Sequence, residues 1–224
     1  MFFPGRKEGL CMKLGIIACD VLKNEIEYLT KCNPHFVYRE YLEFAMHEYP
    51  DEMRNTIIDR INAIVGQVDA VFLGYARCDS LDDIDKAVKV PTVKIAGSDC
   101  IEALLGPKEY YAEKKKCAGT WFSSPGWSEQ GVNGLIKEFH LDCMEGYDPQ
   151  FFLDVLFQSY ERCLFIDPGI GNTAEYRQES EDVAKTLKLK HDCRTCGLDN
   201  LKAAIAATEE LGRQADLRRM HCAQ

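Results

Sequence analysis

Cysteine and histidine side chains recur where short apolar segments of the chain end. The chain has 11 cysteines among 224 residues. Cys19, Cys78 and Cys100 each follow an apolar segment, and His47 lies in the loop after another. Thiolates and imidazoles bind zinc, and thiolates also bind iron–sulfur clusters. These four side chains are therefore predicted to be ligands of one zinc ion or one iron–sulfur cluster.

A C-x-x-C motif lies near the end of the chain, where Cys193 and Cys196 are expected to follow the last strand. In a reducing compartment this spacing is typical of a redox dithiol, half of a zinc knuckle or two cluster ligands. We include both cysteines in the predicted metal set, on condition that their strand is parallel to those that precede the other cysteines. An antiparallel strand would place them at the opposite edge of the sheet.

A purely structural explanation stays open for each of these residues. Free cysteine commonly packs as a small buried apolar side chain. Cys19, Cys78 and Cys100 would then be small residues in tight turns between strands and helices, and His47 a hydrogen-bonded loop residue. The spacings match no local metal-binding motif, so only the fold can bring these side chains together.

Short apolar runs alternate with amphipathic segments along the chain. The runs predicted to be strands are residues 13–18, 35–44, 69–75, 90–95, 118–123 and 162–166. After Pro50, apolar residues recur at helical spacing, and they are Met53, Ile57, Ile58, Ile61, Ile64 and Val65. This alternation predicts an α/β fold with a mainly parallel sheet and helices on both faces. The carboxyl ends of parallel strands meet at one edge, which is where such sheets bind ligands.

The length of the chain suits one α/β domain. Residues 1–11 precede the first predicted strand and are expected to be an extension, followed by a single domain over residues 12–224. Two similar βα halves that divide near residues 108–130 are the alternative. No linker-like composition marks that division.

Composition limits the classes of partner. The chain has 27 Lys and Arg against 36 Asp and Glu, a formal charge of -9, so we expect no nucleic-acid binding. No apolar run approaches the ~18 residues that a membrane helix requires. The N-terminal residues do not follow the pattern of a secretory signal. We therefore expect a cytoplasmic protein without membrane association.

Aromatic residues flank a tight turn in the segment Trp121-Phe-Ser-Ser-Pro-Gly-Trp127. Such a segment can form one wall of a pocket for a planar ligand, with Trp127 in contact with it. The alternative is an aromatic cluster that fills the edge of the sheet. The sequence contains no G-x-S-x-G, H-E-x-x-H or kinase signature, so nothing in it supports the standard hydrolase and kinase mechanisms.

Five ordered motifs together resemble a known family. They are Ile17-Ala-Cys-Asp20, Met46-His47 before Pro50, Leu73-Gly-Tyr-Ala-Arg-Cys78, Asp99-Cys-Ile-Glu-Ala-Leu-Leu-Gly106 and Ser124-Pro-Gly-Trp127. This set resembles the DUF1638 family, a family of unknown function whose members carry LH-x-x-P, YG-x-C, DC-x-x-x-LLG and PGW motifs. The resemblance covers roughly residues 13–200. Ala76 stands where glycine is common in that family.

The resemblance implies a setting rather than a mechanism. Members of that family occur in methanogens and other anaerobes, often near corrinoid-dependent methyltransferase systems. The resemblance implies that His47, Cys78, Asp99, Cys100 and Trp127 belong to the pattern of the family. We expect Asp99 and Trp127 to bind a cofactor, Asp99 by orienting the ligands of the metal and Trp127 as a pocket wall.

These observations lead to two functional hypotheses. The first is a metalloprotein of anaerobic one-carbon metabolism that binds a metal ion or iron–sulfur cluster through cysteines at strand ends and takes part in corrinoid- or thiol-linked methyl transfer. The second is a non-catalytic accessory protein that binds a corrinoid protein or carries a cofactor. Under both hypotheses the expected partner is a corrinoid protein or a methyltransferase, and a corrinoid is a candidate cofactor.

Overall fold

The computed structural model describes residues 12–44, 46–76, 79–143, 146 and 148–222, without the side chains of residues 47, 79 and 220–222. The expected extension at residues 1–11 lies outside the described part. The described strands are β1 (Leu14–Cys19), β2 (Phe36–Leu42), β3 (Ala70–Gly74), β4 (Thr92–Lys94), β5 (Thr120–Ser123), β6 (Arg162–Asp167) and β7 (Lys190–Thr195).

The strands form two parallel sheets. The first has the order β2-β1-β3-β4 and the second the order β5-β6-β7. Every strand pairing in both sheets is parallel. The α/β class with parallel strands is therefore confirmed, and the parallel strands are divided between two sheets. The segment between β4 and β5, residues 95–119, overlaps the division predicted near residues 108–130, and the independence of the two halves stays a prediction.

Helices surround both sheets. They are α1 (Lys23–Thr30), α2 (Pro50–Ala63), α3 (Ile84–Ala87), α4 (Cys100–Leu105), α5 (Pro107–Lys116), α6 (Pro125–Glu138), α7 (Pro149–Leu156), α8 (Thr173–Thr186) and α9 (Asp199–Cys222). None of the helices in the described part of the chain is long and apolar enough to cross a bilayer.

The first sheet is buried on both faces, which explains its continuous apolar strands. Successive side chains of a strand point to opposite faces. Ile16 accordingly packs in one cluster with Phe72 and with Leu201 of α9. Ile17 packs in another with Met53 and Ile57 of α2. The predicted helix buries Met53, Ile57 and Ile61 as expected. Ile58 is half-buried, and Val65 lies beyond the end of α2 and is exposed.

The core of the first sheet continues into the second. Leu164 and Ile166 of β6 belong to the same buried cluster as Ile16 of β1. After β7 the chain returns through α9, which packs on β3 and β4 of the first sheet. Burial of apolar surface therefore holds the two sheets together and fixes the space between them.

Candidate functional site

A cleft of about 410 Å³ is lined by residues from both sheets. The first sheet contributes Cys19 at the end of β1, Tyr75 directly after β3, and Cys100 at the start of α4. The second contributes Trp121 of β5 and Trp127 of α6. The first sheet presents the carboxyl ends of its strands to this cleft, as expected for a ligand site in a parallel sheet.

The two cysteine thiols in the cleft are partly buried, and desolvation favours their protonated form. Burial raises the pKa of Cys19 to about 11. Burial also raises the pKa of Cys100 far above its ordinary value, and the Asp99 carboxylate adds to that rise. Ionisation of Cys19 would raise the pKa of Cys100 further. Either thiol therefore needs a nearby positive charge to become a thiolate at neutral pH.

Trp127 contacts one of these thiols directly. Its indole N–H donates a hydrogen bond to the Sγ atom of Cys100 over 3.4 Å. Its ring packs edge-on against Phe44, with centroids 4.9 Å apart, and against Trp121, with centroids 5.1 Å apart. The indole is held in place by these rings and favours the charged form of the Cys100 sulfur.

Asp99 positions the start of α4. Its side chain caps the helix, since Oδ1 accepts a hydrogen bond from the backbone N–H of Glu102 over 2.8 Å. Its Oδ2 atom accepts a hydrogen bond from the hydroxyl of Tyr110. A helix cap of this kind fixes the backbone of the next residue, which is Cys100. Asp99 lines the cleft, and its expected role in binding a cofactor stays a prediction.

Several polar residues of the cleft were not predicted from the sequence, and three of them bear most on its chemistry. They are Tyr75, Lys114 of α5 and Glu138 of α6. Tyr75 stands in the motif that ends at Cys78, and that motif was the available signal. Lys114 lies in a run of charged residues and Glu138 at a helix end, where nothing distinguishes them from solvated side chains.

The side chains of two predicted metal ligands lie outside the described part of the chain. Cys78 is not among the described residues. The backbone of His47 lies in the short 3-10 helix Met46–Glu48, but its side chain is not described. In the described part of the chain, no group of three or more His, Cys, Asp or Glu side chains is placed to hold a metal ion. Cys19 and Cys100 are the predicted ligands that the structure brings to one cleft.

The C-x-x-C motif lies elsewhere. Cys193 is within β7, which corrects the expectation that it follows the last strand, and Cys196 comes directly after β7. β7 is parallel to its neighbour β6, but it belongs to the second sheet, whereas Cys19 and Cys100 belong to the first. Neither cysteine of the motif lines the cleft. Membership of one metal centre therefore stays a prediction that this placement does not support.

Gly126 in the Ser124-Pro-Gly-Trp127 motif allows a close backbone approach. A β-carbon at Gly126 would lie 2.1 Å from the carbonyl oxygen of Val21, a backbone atom. We expect Gly126→Ala to lower the free energy of unfolding by about 1–3 kcal/mol, as overpacking does. Urea unfolding measures the change. Asn133→Ala, at an exposed position of the same helix, is the control, and equal stability of both variants would contradict the close approach.

Comparison with solved structures gives low similarity. An ornithine carbamoyltransferase from Pyrococcus furiosus aligns with a TM-score of 0.28 and 14% identity over 83% of this chain and 55% of that chain. A "putative aspartate carbamoyltransferase" from Leishmania major Friedlin aligns with a TM-score of 0.25 and 12% identity over 82% of this chain and 55% of that one. The chain thus spans about half the length of these structures. Similarity this low establishes neither a shared activity nor a shared site.

Comparison at the level of sequence identifies the family. No curated protein matches the chain. The family model described as "Protein of unknown function (DUF1638)" matches residues 41–205. This match includes Cys78, Asp99, Cys100 and Trp127 and the whole second sheet. In the first sheet it covers β3, β4 and the end of β2, whereas β1 with Cys19 precedes it. The chain therefore belongs to the DUF1638 family.

Proposed function

We propose that the protein is a thiolate metalloprotein in which Cys19 and Cys100 bind zinc or an iron–sulfur cluster in the cleft. The observation that carries this proposal is the convergence of two partly buried thiols, one at the end of β1 and one after β4, on one cleft. Cys78 is the proposed third ligand, because it comes two residues after Ala76, which also lines the cleft. Thiolates are the protein ligands that both kinds of centre accept.

The raised pKa values of the two thiols explain why a metal would matter. Without a cation these sulfurs stay protonated at neutral pH. A bound metal ion deprotonates the thiols that coordinate it. The N–H of Trp127 then donates to a charged sulfur, which strengthens that hydrogen bond. The cleft would therefore hold stable thiolates only when a metal ion or cluster is bound.

Methyl transfer is the reaction that we propose for such thiolates. A metal-held thiolate is a nucleophile for a methyl group, and the family context of corrinoid-dependent methyltransferases supplies a methyl donor of matching chemistry. The cavity of about 410 Å³ suits a small molecule better than a corrinoid ring. We therefore propose that a corrinoid stays on a partner protein at the mouth of the cleft. A reducing, anaerobic cytoplasm is the compartment that preserves such thiols.

Metal content tests the proposal directly. We expect protein that is purified without oxygen, from cells supplied with zinc and iron, to contain near-stoichiometric zinc or the iron of one cluster. Cys19→Ser and Cys100→Ser should each reduce that content severalfold, because serine is a poor ligand at neutral pH. The matched controls are Cys32→Ser and Cys143→Ser, whose thiols are exposed away from the cleft. Elemental analysis that finds equal metal in all four variants would overturn the centre.

A methyl-transfer assay separates the enzyme from the accessory protein. Metal-loaded protein is mixed with methylcobalamin and a small thiol under anaerobic conditions. The small thiol loses its proton to the medium. Transfer then breaks the cobalt–carbon bond, leaves both electrons on cobalt as cob(I)alamin, and joins the methyl group to the sulfur of the small thiol as a thioether. The visible spectrum follows cobalt, and mass spectrometry identifies the thioether. Full metal content without transfer would favour the accessory role, in which the protein binds a corrinoid protein or carries a cofactor.

A further inference from the structure

We propose that the cleft binds a small planar carboxylic acid, whose carboxylate accepts hydrogen bonds from the Tyr75 hydroxyl and the Lys114 ammonium group and whose apolar body lies against the aromatic wall. This proposal rests on the proposed function, because the ligand occupies the same cleft as the proposed metal centre. Its binding can still be measured in metal-free protein, so that the ligand and the metal centre are tested separately.

Tyr75 is a buried hydrogen-bond donor that has no acceptor among the described residues. Its side chain is 5% exposed and lines the cleft. Its hydroxyl has no hydrogen-bond partner among the described residues. Burial raises the pKa of Tyr75, so the hydroxyl keeps its proton at neutral pH. A buried hydroxyl without a partner is costly, and a ligand oxygen in the cleft would remove that cost.

Lys114 is a cation of the cleft that forms no direct ion pair with a carboxylate among the described residues. Its Nζ atom donates to the hydroxyl of Tyr110 over 3.3 Å and lies 4.9 Å from the centroid of the Tyr110 ring. None of the ion pairs among the described residues includes Lys114. The ammonium group retains donors for a ligand and attracts negative charge.

Of the two carboxylates in the cleft, that of Asp99 is fully engaged. Both oxygens of Asp99 accept hydrogen bonds, from the Glu102 backbone and from the Tyr110 hydroxyl. Glu138 also interacts within the chain. Tyr75 and Lys114 therefore offer donors that a ligand can use. A ligand that complements donors carries acceptor oxygens and a negative charge, and a carboxylate has both.

The walls of the cleft indicate the rest of the ligand. Phe44, Trp121, Phe122 and Trp127 all line the cavity. Aromatic walls favour a flat apolar body, which can stack on or meet the edge of these rings. The cavity of about 410 Å³ accommodates a single-ring acid. The polar and apolar parts of the lining together fit an aromatic or conjugated carboxylic acid.

Three probes with one ring and different charges test the proposal. Benzoate, benzamide and benzylammonium are titrated into metal-free protein. The chain has 2 tryptophans, Trp121 and Trp127, and both line the cleft, so intrinsic fluorescence reports its occupancy. We expect saturable binding of benzoate, binding of benzamide weaker by about tenfold, and weaker binding still of benzylammonium. Tighter binding of benzylammonium than of benzoate, or no saturable binding of any probe, would overturn the proposal.

Matched variants assign the two donors. Lys114→Met should weaken benzoate by about tenfold and leave benzamide unchanged, because only benzoate carries charge. Tyr75→Phe should weaken both by about fivefold, since each accepts a hydrogen bond from the hydroxyl. Lys115→Met and Tyr111→Phe, both at exposed positions outside the cleft, are the controls. Equal effects of Lys114→Met and Lys115→Met would refute the role of Lys114. Lys114 is exposed, so we expect Lys114→Met to fold. Metal content of the same variants, measured separately, tests the proposed centre independently of the ligand.

Discussion

Glu113→Gln is expected to lower the free energy of unfolding by about 3–5 kcal/mol, the usual cost of breaking a buried ion pair from one side. Glu113 of α5 is 3% exposed. It accepts hydrogen bonds from Arg162 over 2.8 Å, from Lys116 over 2.6 Å and from Arg194. Arg162 begins β6 and Arg194 lies in β7. The variant removes the negative charge that these cations share, and two of the cations belong to strands of the second sheet.

The pH dependence of this effect has a definite sign. Burial raises the pKa of Glu113, but the hydrogen bonds from Lys116, Arg162 and Arg194 outweigh it, and the pKa falls to about 2 from a value of 4.5. A lowered pKa stabilises the folded state above pH 4.5, and this contribution is lost as the pH falls towards 2. The difference in stability between the wild type and Glu113→Gln should therefore shrink over that range.

Urea unfolding at several pH values measures both effects. Glu109→Gln is the matched control, because Glu109 lies on the same helix, also binds Arg194 and is 41% exposed at its side chain. An exposed pair of this kind contributes about 1 kcal/mol or less. If Glu113→Gln cost no more than Glu109→Gln, the Glu113 cluster would not stabilise the fold as described.

The free energy of unfolding of Glu25→Gln, relative to that of the wild type, is expected to be higher at high pH than at low pH. Glu25 of α1 is fully buried, and neither oxygen of its carboxyl group has a hydrogen-bond partner among the described residues. Burial raises the pKa of Glu25 from 4.5 to about 7, and the carboxylate of Glu129 adds to the rise. Asn24 of α1 holds Glu129 of α6 through a hydrogen bond of 2.9 Å. Ionisation of Glu25 thus places a second charge beside Glu129.

The direction of this pH dependence follows from the proton that Glu25 binds. Because the folded state holds the Glu25 proton more tightly, the stabilisation is complete below pH 4.5 and is lost as the pH rises through 7. The loss amounts to about 3 kcal/mol by pH 8. Glutamine cannot ionise, so the stability of Glu25→Gln relative to the wild type should increase by that amount between pH 4.5 and pH 8.

Urea unfolding of both proteins across this range provides the measurement. Glu161→Gln, at an exposed position, serves as the control and should follow the wild type at every pH. A constant difference between Glu25→Gln and the wild type from pH 5 to pH 8 would show that Glu25 titrates normally.

The sequence by itself determined the local elements and part of the site. Helical spacing of Met53, Ile57 and Ile61 predicted α2 correctly, because a periodic apolar face needs only local geometry and a core to cover. Continuous apolar runs predicted buried parallel strands for the same reason. Cys19 and Cys100 were assigned to one edge from the rule that parallel strands end together, and both line the cleft.

Only the tertiary structure decided how the strands divide and which other side chains meet. Local patterns do not encode which strand pairs with which, so two sheets could not be distinguished from one, and Cys193 was placed after β7 rather than within it. Tyr75 and Lys114 resemble ordinary core and surface residues in the sequence. They become candidate ligand donors because the packing of the two sheets buries the Tyr75 hydroxyl and directs Lys114 to the same cleft. Burial and proximity are properties of contacts between distant segments, and those contacts arise only when the chain folds.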